Sequence, residues 1–382
     1  MSLEISEAGL DRTFLDVSSK LAEPLCWTYG ILRYRLIAPI NLGKFDQCET
    51  KTQEIATRVL IGIVAFFSLT ALFVPILFTA IFLGVGSKIC RAIGFALQKQ
   101  NYSHVRGSAP EKNLAGGEAK IMTWNICGIG GGMHLDHGGV LSWRSRLDQI
   151  VEKIRAEDTD VLVLQEVYDT ALAEALMGRL GTSYAHMFAH LGANVMGSVS
   201  GEMVFSKCAV HKFTNTSFAN NDWTLNRTFT TLEIKARPED EAPCARIIGT
   251  HFIHDHNAKR LEQVAQIVHS VARERLALPT VLTGDLNLER DKPSEGGVLN
   301  EHLHQGYLGQ EPTCTNKLTH QWNPQGEPAP EETIDDIRLF RIPGQNAQLA
   351  NVRLSKAFDA TYNTKTALSD HHALVATLQL MR

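Results

Sequence analysis

No CxxC pair occurs among the seven cysteines, which are odd in number and scattered along 382 residues. That argues against both a disulfide framework and a structural zinc site, and it reads as a chain that folds in a reducing compartment. Basic excess is missing too. Lysine and arginine total 37 against 41 aspartates and glutamates, a formal charge of −4, so the electrostatic footprint expected for binding long nucleic acid is not there. The phosphate-cradling GxxxxGK[ST] loop is absent, and no internal repeat is evident. Apolar residues make up 44% of the chain, enough for a sizeable core and too many for a disordered protein.

One long stretch lacks charge altogether. From Val59 to Ser87 the chain reads VLIGIVAFFSLTALFVPILFTAIFLGVGS. About 20 apolar residues suffice for a helix to span a bilayer, so a tilted span and a shorter re-entrant hairpin are both open. Pro75 near its middle favours a kinked pair of half-helices. Lys44, Lys51 and Arg58 precede the stretch, while Lys88, Arg91 and Lys99 follow it. Positive charge on both sides suits a hairpin with both ends on the cytoplasmic face. A weaker apolar stretch, Leu25 to Leu42, is interrupted by Arg33 and Arg35 and is expected to lie in the membrane interface. Cys26, Cys48 and Cys90 border these segments as candidate palmitoylation sites, with unmodified buried thiols as the bland reading.

Residues 1–106 are thus expected to form a membrane-associating region, 107–117 (GSAPEKNLAGG) a linker, and 118–382 a catalytic domain. In the last of these, apolar runs near 119–126, 160–165, 202–206, 228–235, 245–252, 279–284, 333–340 and 366–380 predict strands. Amphipathic stretches at Ser142–Ala156, Thr170–Leu180 and Ala258–Arg275 predict helices. Strands joined both by helices and by direct turns favour a mixed α/β sandwich.

Short polar motifs stand at the ends of these runs. They are Trp124-Asn125, Gln165-Glu166, Thr250-His251, Gly284-Asp285-Leu286-Asn287 and Ser369-Asp370-His371. Side chains at strand ends can converge on one rim of a sandwich. There the carboxylates would hold Mg²⁺, an imidazole would take the proton of water, and neutral or cationic donors would stabilise charge developing on a phosphate.

Taken in order, WN, QE, TH, GDLN and SDH resemble the endonuclease/exonuclease/phosphatase superfamily of DNase I-like, Mg²⁺-dependent phosphoesterases. The resemblance covers about Lys120 to Arg382 and implies a four-layer α/β/β/α sandwich. Within that group, SDHHALVATL, the FSK at Phe205 to Lys207, and Asp222 followed five residues later by Arg227 look like the membrane-bound neutral sphingomyelinases. Two departures stand out: Arg227 replaces the usual lysine, and Ile253 stands where a second histidine is usual, with His254 one step on.

The resemblance implies Glu166 as the principal Mg²⁺ ligand, with Mn²⁺ as a substitute ion, and Asn125 either completing the metal shell or orienting Glu166. It implies His371 as general base oriented by Asp335 rather than Asp336, with Asp370 beside it at the metal cluster or its water. Asp285 and Asn287 would bind the water and a phosphate oxygen. His251 would donate to a non-bridging oxygen, and Arg227 would stabilise the phosphate or leaving group with Asp222 holding it in reserve. For Arg227 an ordinary surface ion pair is the competing reading, and for His254 and His256 a plain surface loop is the better one. The glycine-rich Gly128–Gly139 is a candidate flexible cover for the substrate.

The implied activity is hydrolysis of sphingomyelin to ceramide and phosphocholine at a membrane surface. A phosphoinositide phosphatase of the same superfamily is the alternative. A nuclease is disfavoured by the acidic balance, and a catalytically silent membrane module by the intact Glu166, Asp285, Asn287, His251 and His371. The expected partners are a phospholipid substrate and the bilayer, with the catalytic domain facing the cytoplasm and no nucleic acid bound.

Overall fold

Parallel neighbours in a sheet need a crossover, and the chain makes two of them with helices. The computed structural model describes residues 13–22, 51–98, 100–114, 116–128, 140–194, 198–221, 226–254, 256–274, 277–290, 292–304, 306–315, 331–359 and 366–381. In the first crossover, β2 (Glu118–Asn125) leads through α3 (Trp143–Glu157) to β3 (Val161–Gln165), which lies parallel beside β2. In the second, β8 (Ala245–His251) leads through α5 (Asn257–Ala272) to the parallel β9 (Thr280–Asp285). The local sequence explains the α3 boundary. Trp143, Arg146, Ile150, Val151 and Ile154 are buried at helical spacing, and Asp158 in the left-handed region closes the last turn onto the carbonyls of Ile154 and Arg155.

The remaining strands are β1 (Ser103–Arg106), β4 (His186–Ala189), β5 (Met203–Ser206), β6 (Val210–Ser217), β7 (Thr228–Ile234), β10 (Leu303–His304), β13 (Asp335–Phe340), β14 (Ala347–Ser355) and β15 (Ala373–Leu380). A short pair, β11 (Cys314–Thr315) and β12 (Glu331–Glu332), stands apart. Two sheets result. One has the order β1-β4-β5-β3-β2-β15-β14 and the other β10-β13-β9-β8-β7-β6.

Strand alternation assigns each apolar side chain to a layer. Ile121, Val161, Val163, Ile247, Val281, Ile337 and Leu339 meet between the sheets. Met122, Trp124, Leu162, Leu164 and Phe205 point outward under α3 and α4 (Thr170–Leu180). Ile248, Leu282 and Phe340 point the other way, where they meet Val264 and Ile267 of α5 and Leu299 of α6 (Pro293–His302). The expected α/β/β/α sandwich is the architecture found.

The sandwich begins earlier than the expected boundary at 118. β1 pairs with β4. The stretch expected as a linker is seated on the fold, with Leu114 in the inter-sheet core and Lys112 paired to Asp160 at 2.6 Å. A lysine salt bridge and a buried leucine give that stretch a fixed place, which its Gly/Pro-rich composition did not signal.

Upstream lie α1 (13–22) and α2 (Lys51–Ala96). α2 is one continuous helix of 46 residues that runs through Pro75, and this corrects the expected pair of half-helices. A proline withdraws one donor, a loss that a long helix can absorb without ending. Among the described residues no helix is long and apolar enough to cross a membrane, so neither a span nor a hairpin is found among them. The side chains of 68–77 and the expected interfacial stretch Leu25 to Leu42, with Cys26 and Cys48, lie outside the described residues. The described part of α2 exposes Val59, Leu60, Ile63, Val64, Phe67, Phe78, Ile81, Phe82 and Val85.

Candidate active site

Register alone brings the motifs together. Asn125 ends β2 opposite Gln165 at the end of β3, and His251 ends β8 opposite Asp285 at the end of β9. β13 runs antiparallel to β9, so its first residue, Asp335, lies opposite Asp285. His371 precedes β15, whose neighbour is β2. All these ends share one rim.

Trp124 is fully buried, and its indole Nε1 donates to the His371 carbonyl at 2.9 Å. Ser369 Oγ donates to the Asn125 carbonyl at 2.6 Å. The WN and SDH motifs therefore hold each other. Arg146, buried on α3, donates to the carbonyls of Ile126 at 2.9 Å and Cys127 at 2.6 Å, and also to that of Leu368. Its side chain fixes both loops from behind, and nothing in the sequence marked it apart from its place in a helical stretch.

His371 Nδ1 lies 2.8 Å from Asp335 Oδ2. Asp336 instead pairs with Arg338 and accepts from the Tyr307 amide at 3.3 Å. The Asp335 amide is itself held by Thr313 Oγ1 at 3.1 Å. Burial works against a charged His371, but Asp335, the Cys314 thiol and Asp370 outweigh it and raise the imidazole well above its ordinary range. Its Nε2 faces Asp285 Oδ2 at 3.9 Å and Asn125 Nδ2 at 3.4 Å. Asp370 stands adjacent in the chain and is buried, accepting from Ser369 Oγ at 3.2 Å.

Asn125 sits at the centre. Its Nδ2 donates to Asp285 Oδ2 at 2.9 Å and to Glu166 Oε1 at 3.2 Å, while its Oδ1 accepts from the Cys127 amide at 3.0 Å. The side-chain amide is thus engaged in aligning the two carboxylates. Glu166 occupies a left-handed backbone conformation, φ 63°, uncommon for a residue with a Cβ and typical of functional turns. Burial first, then Asp370, pushes its carboxyl up to about 7, with His371 pulling the other way.

Asn287 is also left-handed, φ 49°; its amide donates to Asp285 Oδ1 at 3.0 Å and its Nδ2 to the Phe252 carbonyl at 3.0 Å. An amide NH₂ carries a second hydrogen, which is available for a phosphate oxygen. His251 Nε2 lies 3.4 Å from Asp285 Oδ2, and its buried Nδ1 has no partner. Burial, with Arg227 and His371 nearby, lowers His251 well below its ordinary value, which favours the neutral imidazole with a single N–H to donate. Arg227 is buried with Nε and Nη1 unpartnered, which sets it apart from an ordinary surface ion pair.

His254 and His256 lie outside this cluster: both are exposed, and His256 is the N-cap residue of α5. Asp222 and residues 129–139 lie outside the described residues. Sequence reasoning missed Tyr168, Glu202, Arg146 and Thr313, which surround the site without touching its centre. Of these, only Tyr168 carried a visible signal, two residues after Glu166.

The donor set fits a hard divalent cation. Glu166, Asp285 and Asp370 supply carboxylate oxygen, and the Glu166 carboxyl, raised by burial first and then by Asp370, is one whose charged form a cation would stabilise. Donor atoms of Asp285, Asp335 and His371 also lie within 4.8 Å of one another. Imidazole suits softer metals than Mg²⁺, however, and His371 and Asp335 are already spent on each other. Glu166 is the better anchor for the ion.

Two sheets carrying a carboxylate–imidazole rim of this kind define a phosphoester hydrolase of the DNase I-like class. The chain belongs to the Endonuclease/Exonuclease/phosphatase family, whose sequence profile matches residues 122–371. No match was found among curated proteins. Among solved structures the chain is similar to beta toxin from Staphylococcus aureus, with a TM-score of 0.54 and 19% identity over 68% of this chain and 99% of that one. Sphingomyelinase C from Streptomyces griseocarneus gives 0.50 and 19% over the same shares. A functionally unknown conserved protein from Enterococcus faecalis gives 0.51 and 18% over 68% and 98%. At such identities these likenesses show the fold.

Proposed function

We propose that the chain is a membrane-associated, divalent-cation-dependent phosphodiesterase that hydrolyses sphingomyelin to ceramide and phosphocholine. The observation that carries the chemistry is the His371–Asp335 pair, 2.8 Å apart, facing a rim where the buried Arg227 and His251 keep nitrogens without partners. A base on one side and free donors on the other suit a water attacking a phosphate. The head group is supported by the shared fold of sphingomyelinase C, and membrane association by the exposed apolar side chains of α2. The described cysteines Cys90, Cys127, Cys208, Cys244 and Cys314 are all free, which supports a catalytic domain facing the reducing cytoplasm.

Once neutral, His371 takes a proton from water at Nε2 as the water oxygen bonds to phosphorus, and Asp335 holds the imidazolium that forms. The P–O bond to ceramide breaks with its electron pair on the ceramide oxygen, which takes a proton from solvent to leave as the alcohol, and the imidazolium of His371 returns its proton to solvent. Asp285 orients the water, while Asn287, His251 and Arg227 donate to the non-bridging oxygens, where charge grows. Glu166 would hold Mg²⁺, or Mn²⁺ in its place, with Asn125 aligning the carboxylate; when bound, the ion offsets the carboxylate charge, polarises the phosphate and makes water more acidic.

The test is choline release, through a coupled phosphatase, from sphingomyelin vesicles in Mg²⁺ or in EDTA. Release that depends on the cation and falls by about 10²–10⁴-fold in His371→Ala and in Glu166→Ala is expected. Release that persists in EDTA or in either variant overturns the mechanism. Phosphate release from phosphoinositides, with sphingomyelin untouched, moves the substrate to the alternative.

A further inference from the structure

We propose that Thr313 is the positioning residue that ties Asp335 to His371 across the two sheets. The inference rests on the reading of His371 as the base of the proposed reaction. Asp335 begins β13 in one sheet, while His371 precedes β15 in the other. Their 2.8 Å contact therefore depends on how two separate strand ends are held together. The segment from Thr313 through β11 lies between those ends and is hydrogen-bonded to both. On one side the His372 amide donates to the Thr313 carbonyl at 2.7 Å and the Thr315 amide to the Asp370 carbonyl at 2.9 Å, with Cys314 opposite His371. On the other side the Thr313 amide donates to the Glu332 carbonyl at 2.9 Å, where β11 pairs with β12.

The side chain adds what this backbone pairing cannot. Thr313 Oγ1 accepts from the Ile334 amide at 3.0 Å and from the Asp335 amide at 3.1 Å, and it donates to the Glu332 carbonyl at 3.4 Å. A hydroxyl has one hydrogen and two lone pairs, so these bonds use it completely. Thr313 is fully buried. The carboxylate needs such an anchor, because only one of its oxygens is engaged: Asp335 Oδ2 meets His371 Nδ1, while Oδ1 has no hydrogen-bond partner among the described residues. Its aim is thus set by the backbone on which it stands. From β9 the Leu286 amide holds the Ile334 carbonyl at 2.9 Å, and the amides of Ile334 and Asp335 both end on Thr313 Oγ1. Without Oγ1 two buried N–H groups lose their acceptor, a cost that favours a shift of the strand end. A displacement of about 1 Å in such a pair lowers a rate about 10²-fold.

The experiment uses the full chain as wild type, Thr313→Val, Thr313→Ser, Thr313→Cys, Asp335→Asn and the double variant of Thr313→Val with Asp335→Asn. Choline release from sphingomyelin vesicles gives kcat and KM. Magnetic resonance of isotope-labelled histidine gives the imidazole N–H signal that is lost in Asp335→Asn, which marks it as the His371 Nδ1 proton. Thr313→Val keeps the shape of the side chain and removes Oγ1. It is expected to lower kcat about 10–10²-fold with KM within about threefold, and to move the Nδ1 signal, while Thr313→Ser restores both. In the Asp335→Asn background Thr313→Val is expected to cost nothing further, because Oγ1 acts through that carboxylate. Should Thr313→Val not fold, Thr313→Cys carries the test: a thiol accepts weakly, and its kcat is expected to fall between those of the wild type and Asp335→Asn. Thr313→Ser as slow as Thr313→Val, equal losses with and without Asp335, an unmoved signal, or Thr313→Cys as fast as the wild type overturns the proposal. If vesicles are not hydrolysed while the signal moves in Thr313→Val and returns in Thr313→Ser, the substrate reading falls and the role of Thr313 stands. Hydrolysis with an unmoved signal does the reverse.

Discussion

His371 and Glu166 are the residues whose protonation the site controls most directly. Replacing Asp335 by Asn removes the charge that holds His371 Nδ1 and is expected to lower kcat about 10²–10³-fold with little change in KM, within the usual range for a base and its orienting partner. An Asp336→Asn variant serves as the contrast, since that carboxylate faces Arg338. Glu166 gives a pH signature. Its carboxyl is pushed up to about 7, so protons compete with a divalent cation below that pH. The apparent Kd for Mg²⁺, read by calorimetry, should rise about tenfold for each unit below 7 and become flat in Glu166→Gln. The sign for stability is opposite to that of a salt-bridged acid. A raised carboxyl pKa costs stability as pH climbs from the unfolded value, near 4.5, through 7. Glu166→Gln should therefore melt higher than the wild type at pH 8 without metal, by about 1–3 kcal/mol of stability.

Elements decide where those residues stand. The parallel pairs β2–β3 and β8–β9 place their carboxyl ends on one rim, and α3 is pinned to the far edge strand. Arg353 of β14 reaches Glu157 at the end of α3 with two contacts, 3.2 and 2.5 Å, and Ser355 adds a third at 2.5 Å. Burial opposes the charged form of Glu157, but the bonds from Arg353 and Ser355, helped by Lys120, hold its carboxyl down at about 2. This contribution is complete above the unfolded value near 4.5 and is lost as pH falls toward 2. In Glu157→Gln, thermal melting should lose part of its slope over that window, and β14 amides should exchange faster at neutral pH. Long apolar runs such as VLVLQ and PTVLT are legible as strands because continuous burial leaves continuous hydrophobicity. β6 (VHKFTNTS) and β14 (AQLANVRLS) are not, because edge strands are half solvated and keep their polar residues. α6 is likewise hidden by its glycines, Gly296 and Gly297.

On the scale of the whole molecule, α1 and α2 are attached to the sandwich at Tyr168 and Thr170. Arg91 donates to the Tyr168 carbonyl, and Ser19 bonds Thr170. Away from that contact α2 exposes Phe67, Phe78 and Phe82 at 67%, 69% and 79%, the apolar load on which the proposed membrane association rests. Full burial of such side chains contributes about 1.5–3 kcal/mol each. Changing all three to Ser should weaken co-flotation with vesicles by at least about 10²-fold, while the rate on a water-soluble phosphodiester stays the same. Unchanged flotation would end the membrane reading. By itself the sequence determined the class of chemistry, because the WN, QE, TH, GDLN and SDH motifs sit at run ends and strand ends project side chains where a rim can form. It also determined the layered α/β plan, through its alternation of apolar periods. Only the tertiary structure decided that Asp335 faces His371 while Asp336 faces Arg338, that Asn125 spends its amide aligning Glu166 and Asp285, and that Arg227 is buried with Nε and Nη1 unpartnered. Those partners are set by the packing of segments far apart in the chain, and residue type and spacing carry no record of which side chains the folded backbone brings within hydrogen-bond reach.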